Sequence, residues 1–397
     1  MTQIAGHGVL VAQGSLHQLQ RRELNHAFSY RHIKNLYPIF WSKGVEMVRA
    51  IAGTIAARPM ERKTVQMSDW TSLVTLDIIG LAVIGHDFGS LQAPSNELNQ
   101  KYKEMLSLPD GIEQYIELFT LLFLPQYFDW LPTRRQWAVK VGASYIRNMA
   151  RELIAEKKRE MESGVAAGVD IISVSLEKGR LSEENLTEQL LTFLAAGHES
   201  TSTALQWAVY ATCKHPDVQR RLRNEVRSLL PSIDHEQTMT AGLLDSLPYL
   251  NAVCNEVLRC YPPVRETDRV AVRDTMVDGT FIPRGTKFRL VQEAVNHDKE
   301  FWGDDADQFD PERWMTTGNG NSGGASSNYA FLTFIHGPRS CIGSGFAKAE
   351  LACLVAVLVG RFEMELQDPG AKLEVEGFAT QKPKDGVIVR LKELKGW

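Results

Sequence analysis

The segment FIHGPRSCIG, from Phe334 to Gly343, combines residue types that could hold a metal through sulfur. Gly337 and Gly343 lie on either side of Cys341, and Arg339 lies two residues before the cysteine. A thiolate is a metal ligand, and glycines let a backbone come close to a flat group. In a chain of this composition, a chance match to FxxGxRxCxG is on the order of one in ten thousand. A buried core cysteine, the usual alternative, would not need these neighbours.

A second stretch with reactive side chains is AAGHEST, inside a long segment with helical spacing. Glu199 and Ser200 place an acid beside an alcohol, a pair that can transfer protons, and Thr201 follows them. Gly197 costs about 1 kcal/mol relative to alanine inside a helix, which suggests that another group approaches the backbone there. Helix packing through small residues explains the same glycine equally well.

A third pattern joins two distant segments, NEVLR and FDPERW. Glu256 and Arg259 are three residues apart and therefore share one face of a helix, and Arg313 supplies a second cation. A surface pair of this kind contributes only about 0.2–0.5 kcal/mol, which is the simpler interpretation. Burial of all three would make them a structural network.

The elements that must position these residues are mostly helical in the first half of the chain. Helical spacing runs from residue 69 to 162, and a Gly/Ala linker at 162–170 follows it. Ser182 can cap the next helix and Pro216 ends it, which predicts an element of about thirty residues.

The second half mixes helices with short strands. Pro248 opens a helix that ends before Pro262, and residues 264–290 alternate in the manner of strands. A polar loop at 316–328 precedes the cysteine segment, a helix is predicted from about Ser344 to Val359, and the tail is strand-like. The fold class is therefore mainly α with small β-sheets, or α+β, in one domain without internal repeats.

Composition excludes several functions. The formal charge of −4 makes nucleic-acid binding improbable. The longest apolar runs fall short of the ~20 residues of a membrane-spanning helix, and the first residues lack a secretory pattern. The five cysteines are odd in number and have no CxxC spacing, which argues against a disulfide framework and a structural zinc site; they are Cys213, Cys254, Cys260, Cys341 and Cys353.

Together, the three motifs resemble those of the cytochrome P-450 family, the haem-thiolate monooxygenases. The resemblance implies that Cys341 binds haem iron, that Arg339 pairs with a propionate and that Phe334 shields the thiolate. It also implies that Glu199 and Ser200, with Thr201 next to them, relay protons during oxygen activation. Serine stands where the family usually has threonine.

Two further positions resemble haem-binding positions of the family. HQLQRREL is similar to its WxxxR helix, with Arg21 at the arginine and His17 in place of the tryptophan. Arg269, in RVAVRD, falls where the family has another propionate-binding arginine. A solvated charge remains the alternative for both arginines. The residues that the resemblance assigns to haem binding are therefore Cys341, Arg339, Phe334, Gly343, Arg21, His17 and Arg269.

The implied fold is the cytochrome P-450 fold in a single domain, 1–397, of the eukaryotic and especially the fungal branch. The match begins near Gly14, so we expect the family's membrane anchor, first strands and first helices to be missing from this sequence. The implied cofactor is heme b, iron protoporphyrin IX. The positions that face substrate in the family are mostly apolar here, and they are Ala195, Ala196, Val264, Thr267, Phe378 and Ala379.

The resemblance implies a monooxygenase that inserts one oxygen atom from O2 into an apolar organic substrate, by hydroxylation or epoxidation, in fungal secondary metabolism. GSGFAK is not a dinucleotide fingerprint, so electrons are expected from a separate NADPH-cytochrome reductase. Two alternatives stay open: a haem-thiolate isomerase or dehydratase acting on a peroxide, and a truncated inactive remnant. The family location is the endoplasmic reticulum membrane surface; without an anchor in this chain, the cytoplasm is the other expectation.

Overall fold

The computed structural model describes residues 2–57, 64–106, 111–124, 130–131, 133–164, 168–177, 181–235, 238–316, 322–377 and 379–397. Residues 165–167 of the predicted linker, residues 317–321 of the predicted polar loop and Phe378 lie outside these ranges. Helices dominate the described residues, and the strands are short and antiparallel. The predicted mainly α class with small sheets is therefore confirmed.

The helices of the described residues are, in chain order, α1 Thr2–Ala5, α2 Gly14–Leu24, α3 Tyr30–Ile33, α4 Tyr37–Ala56, α5 Met67–Ile84, α6 Glu97–Leu106, α7 Gly111–Phe123, α8 Arg134–Glu162, α9 Ile171–Glu177, α10 Glu183–Lys214, α11 Pro216–Leu229, α12 Ala241–Asp245, α13 Pro248–Cys260, α14 Gln292–Asn296, α15 Lys299–Trp302 and α16 Ser344–Arg361. Two short 3-10 helices cover Pro311–Trp314 and Gly337–Arg339. The strands are β1 Thr64–Gln66, β2 Glu266–Val270, β3 Thr275–Val277, β4 Thr280–Ile282, β5 Lys287–Val291, β6 Phe362–Leu366, β7 Val375–Glu376, β8 Lys382–Pro383 and β9 Ile388–Glu393.

The chain forms two compact units. The first comprises Met1–Ala50 and Asp69–Glu199, and the second comprises Ile51–Ser68 and Ser200–Trp397. The division falls inside α10, which has 32 residues and is capped by Ser182, whose hydroxyl accepts the Asn185 N–H at 3.2 Å. The long helix and its cap are therefore as predicted.

The first unit is built around α5, which is apolar on all sides. Asp77 of this helix is fully buried and accepts the N–H groups of Ser90 at 2.6 Å and Leu91 at 3.0 Å. Lys43 lies 3.7 Å from the same carboxylate and 2.7 Å from Asp87. These partners satisfy a carboxylate that would otherwise be costly to bury.

Met67–Ile84 is also long and apolar enough to cross a membrane by length and composition, with a mean hydropathy of 1.4. The sequence argument did not single it out. However, 72% of this window is buried inside the protein, as in the core helix of a globular unit. One such helix is weak evidence for a membrane span.

In the second unit, α16 lies in the core with α11 and α13 packed against it. The sheet with strand order β1-β9-β6 is antiparallel, and β9 pairs with both neighbours. Pro248 is the first residue of α13, and the carboxylate of Glu225 accepts the N–H groups of Tyr249 at 2.9 Å and Leu250 at 2.8 Å. Pairs β2–β5 and β3–β4 account for the predicted strand-rich segment. The second unit thus places the cysteine loop directly before α16, in which every residue from Ala349 to Gly360 is buried.

Candidate active site

The cysteine loop runs from Phe334 to the first turn of α16 and is shaped by its own backbone. The N–H of Cys341 donates to the Phe334 carbonyl at 2.8 Å, which closes the loop. Gly337 has a φ of +81°, in the left-handed region that glycine adopts without strain. Ile335 has a φ of 57°, uncommon for a β-branched residue and typical of functional loops. The loop is therefore held in one conformation that turns the cysteine outward.

Cys341 differs from the other four cysteines in its exposure. Burial raises the pKa of Cys213 and of Cys254 to about 12, and it also raises the pKa values of Cys260 and Cys353 above the usual range. Those four thiols stay protonated at neutral pH. Cys341 lies just before the N-terminus of α16, where the helix dipole stabilises an anion. The candidate thiolate is therefore Cys341.

Gly343 is the N-cap residue of α16, and its carbonyl accepts the Ala347 N–H at 2.8 Å. A Cβ built at Gly343 would lie 4.0 Å from Sγ of Cys341, which is ordinary van der Waals contact. The glycine therefore leaves the space beside the sulfur open.

Two of the predicted propionate-binding residues lie close together. Partial burial lowers the pKa of Arg339, and the positive charge of Arg269 lowers it further. Nη1 of Arg269 donates to the Thr267 hydroxyl at 3.0 Å and to the Asp268 carbonyl at 2.9 Å. Two guanidinium groups that repel each other are suited to anions such as carboxylates.

A thiol can bind the iron of haem, and a pair of arginines can bind its two propionates. The residues of the second unit therefore fit this group. His17 and Arg21 lie in α2 of the first unit, where His17 is buried and Nε of Arg21 donates to Asn25 Oδ1 at 2.9 Å. Their haem-binding roles stay predictions.

In the first unit, the AAGHEST segment of α10 is in contact with α5. A Cβ at Gly197 would lie 2.4 Å from Cδ1 of Ile79, so packing between side chain and helix explains this glycine. Nε2 of His198 lies 2.9 Å from Ser72 Oγ and 3.1 Å from the Ser72 carbonyl, and Thr75 donates to the His198 carbonyl. The group expected to approach the backbone at Gly197 is therefore the Ile79 side chain, in agreement with the packing alternative.

The residues that follow Gly197 differ in exposure. Glu199 and Ser200 are partly exposed, whereas Thr201 is buried. In the second unit, Thr201 lies near Glu350 of α16, a carboxyl with 1% exposure. Burial raises the pKa of Glu350 well above its ordinary value, and the Thr201 hydroxyl opposes only part of this rise. Burial therefore favours the protonated, neutral form of this carboxyl group.

Sequence reasoning missed Glu350, although one signal was present. It is the only acidic residue in the helix SGFAKAELACLVAVLVGR and begins its apolar stretch. A lone acid in such a helix must be paired, protonated or exposed. Glu350 is almost completely buried, and this burial favours its protonated form.

Glu256 is the centre of a buried network that confirms the predicted contacts. Both Nε and Nη2 of Arg259 donate to its carboxylate at 2.8 Å, and Nε of Arg313 donates at 3.0 Å. The Trp314 indole N–H at 2.8 Å and the Asp310 N–H at 2.9 Å complete the set. Burial would raise the pKa of Glu256, but the hydrogen bonds and charges of the two arginines lower it below its usual value. The surface-pair interpretation is excluded, because Glu256 and Arg259 are fully buried.

Arg259 also connects this network to the segment before the cysteine loop. Its Nη1 donates to the carbonyls of Asn296 at 2.8 Å and Ala306 at 2.6 Å. Asn296 in turn donates to the Thr333 hydroxyl at 2.8 Å and accepts the Leu332 N–H at 2.8 Å. Since Phe334 follows directly, the network fixes where the loop begins.

Comparison with known proteins agrees with this geometry. The family model described as Cytochrome P450 matches residues 2–389. The chain is 50% identical to cytochrome P450 monooxygenase sphH of Aspergillus fumigatus, covering 100% of this chain and 74% of that protein. It is 37% identical to cytochrome P450 monooxygenase ALT8 of Alternaria alternata and 38% identical to cytochrome P450 monooxygenase FSL4 of Gibberella zeae, covering 100% of this chain and 76% and 75% of those proteins.

These relatives come from fungi, as the resemblance indicated. A match over nearly the whole chain, together with the cysteine loop and the Glu256 network, leaves one assignment. The chain belongs to the cytochrome P450 family of haem-thiolate monooxygenases.

Proposed function

We propose that this monooxygenase inserts one oxygen atom of O2 into an apolar organic substrate in fungal secondary metabolism, by hydroxylation or epoxidation. The observation that carries the proposal is the exposed Cys341 thiol, presented before α16 by a loop with the FxxGxRxCxG spacing. The similarity to fungal cytochrome P450 monooxygenases supports the reaction class.

Cys341 would hold the iron of heme b, with Phe334 beside the sulfur and Gly343 leaving it accessible. Arg339 and Arg269 would bind propionates, together with Arg21 and His17. Haem bound through a thiolate supplies the O2 chemistry that amino-acid side chains lack, and the thiolate favours O–O cleavage.

The chain's own acids and alcohols would supply protons. Glu199 and Ser200 are partly exposed neighbours on α10, so the carboxyl can exchange protons with water and the hydroxyl can pass them on. Thr201 is buried and close to Glu350, which suits a role in holding this part of the helix rather than in exchange with solvent.

The substrate class follows from the side chains at the positions that face substrate in the family. Ala195, Ala196, Val264 and Ala379 are apolar, and the Thr267 hydroxyl already accepts a hydrogen bond from Arg269. An apolar scaffold with few polar groups is therefore the best fit. Electrons would come from a separate NADPH-dependent flavoprotein reductase, with the enzyme working at the endoplasmic reticulum surface or in the cytoplasm.

The test is turnover under 18O2 with NADPH, a flavoprotein reductase and a panel of apolar scaffolds. We expect products that carry one 18O atom, formed only when NADPH is present, and no product from Cys341→Ala. Turnover of an organic peroxide without NADPH and without 18O uptake would instead indicate an isomerase or dehydratase. A haem-loaded chain that oxidises nothing and consumes no NADPH would contradict the proposal.

A further inference from the structure

Lys348 is a cation in the second turn of α16, seven residues after Cys341. Its neighbours on the helix, Phe346 and Ala349, are buried, and Lys348 itself is partly buried. Removal from water lowers the pKa of Lys348, and the Cys254 thiol nearby opposes only part of this effect. Keeping an ammonium group at this position therefore has a free-energy cost that a surface lysine would not have.

The ammonium group of Lys348 lies against two aromatic rings of the cysteine loop segment. Its Nζ is 5.1 Å from the centroid of the Phe331 ring and 5.7 Å from that of Phe334. The two rings meet edge to face, with centroids 6.3 Å apart. Side chains on a helix lean towards its N-terminus, so Lys348 points back towards the loop that precedes α16. The negative faces of the rings attract the cation and hold it there.

Within the part of the chain that the structure describes, no carboxylate forms an ion pair with Lys348; its neighbours are the two rings and Cys254. Cys254 cannot supply a negative charge, because burial raises its pKa to about 12. The ammonium charge is thus uncompensated among these neighbours. Phe334 also accepts the Cys341 N–H at 2.8 Å, so one ring that holds the lysine belongs to the residue that closes the loop around the candidate thiolate.

We propose that Lys348 sets the reduction potential of the haem bound at Cys341, with its ammonium group, held by Phe331 and Phe334, favouring the more electron-rich reduced state. The proposal rests on the proposed function, in which Cys341 is the iron ligand. A cation near a thiolate draws electron density from it and stabilises the extra electron delivered by the redox partner. Because Lys348 is partly removed from water, its field is screened less than that of a surface charge.

The test is a spectroelectrochemical titration of the haem-loaded protein. We expect Lys348→Met, which keeps much of the side-chain shape but removes the charge, to shift the potential to more negative values. Lys348→Arg keeps the charge and should stay near the wild-type value. Lys372→Met removes one exposed lysine outside the loop and α16, and it should leave the potential unchanged. The shift in Lys348→Met should persist at high salt.

Two results would overturn the proposal. One is a Lys348→Met protein with the wild-type potential, and the other is a Lys348→Arg protein shifted as far as Lys348→Met, which would show that shape matters and charge does not. If Lys348→Met does not take up haem, Lys348→Gln is measured by the same criteria. The carbon monoxide difference spectrum of each sample separates this from a failure of the proposed function: without thiolate ligation the proposed function fails, whereas intact ligation with an unchanged potential removes only the role of Lys348.

Discussion

Replacing Glu256 by glutamine should destabilise the fold far more than the loss of an ordinary ion pair. The substitution keeps the size of the side chain but removes the negative charge that faces two arginines. Arg259 is fully buried and Arg313 nearly so, and neither can move its charge to water without opening the core. The Arg259 guanidinium would then remain buried without the carboxylate that compensates it, whereas Arg313 would keep a half-exposed carboxylate, Asp305, at 3.2 Å.

The magnitude follows from this geometry. Breaking a buried ion pair by removing one partner costs about 3–5 kcal/mol, because the remaining charge is left uncompensated. The free energy of unfolding of a domain is about 5–15 kcal/mol, so this loss would be a large fraction of it. Removing both charges in Glu256→Gln/Arg259→Met should cost less than the sum of the single changes, since the charge stranded on Arg259 disappears.

The assay is denaturant unfolding followed by tryptophan fluorescence at neutral pH, for the two single variants and the double variant. Glu363→Gln is the matched control, because Glu363 pairs with Lys392 at 2.9 Å in an ion pair that water reaches, with side-chain exposures of 43% and 74%. We expect little change in that control. A loss below about 1 kcal/mol in Glu256→Gln, or fully additive effects in the double variant, would refute the reasoning.

Three further changes have defined outcomes. In the wild type, the free energy of unfolding should fall as pH rises above about 4.5, because the folded state keeps the Glu350 proton after the unfolded chain has lost it. Glu350→Gln should remove this fall. Denaturant unfolding at pH values from acid to neutral checks the prediction. Gly360→Ala should lower the free energy of unfolding by about 1–3 kcal/mol, because the new Cβ would lie 2.1 Å from the Trp397 ring, and an unchanged unfolding midpoint would contradict it. Arg339→Gln should weaken haem retention by about tenfold or more through the loss of a charge-assisted hydrogen bond, measured as transfer to apomyoglobin, and an equal transfer rate would count against the propionate role.

The cysteine loop could be predicted from sequence because its informative residues are contiguous. Cys341, its two glycines and the helix that follows are close in the chain, so local rules were sufficient. The Glu256 network was also within reach, since helical spacing joins Glu256 to Arg259 and a second motif supplies Arg313. Its hydrogen-bond geometry required the fold.

Pairings set by helix packing could not be predicted. Thr201 and Glu350 are far apart in sequence, and nothing local indicates that α10 and α16 bring them together. Strand β1 shows the same limit, because its three residues pair with residues near the end of the chain. Such contacts depend on the path of the whole chain, which spacing patterns do not encode.

Gly197 shows the same limit at a single residue. Gly197 does require close approach, but the approaching group among the described residues is the side chain of Ile79. A glycine inside a helix indicates that another group lies close to the backbone, but it does not indicate which group that is. The buried Asp77 of α5 is a related case, because its partners Ser90 and Leu91 come from a loop beyond the helix.

The most direct test of the account is the carbon monoxide difference spectrum of the reduced, haem-loaded protein. We predict a strongly red-shifted Soret band in the wild type and in Cys254→Ala, which removes a buried thiol outside the loop, and no such band in Cys341→Ala. A red-shifted band that persists in Cys341→Ala, or a wild-type band typical of histidine-ligated haem, would contradict the assignment of Cys341 as the iron ligand.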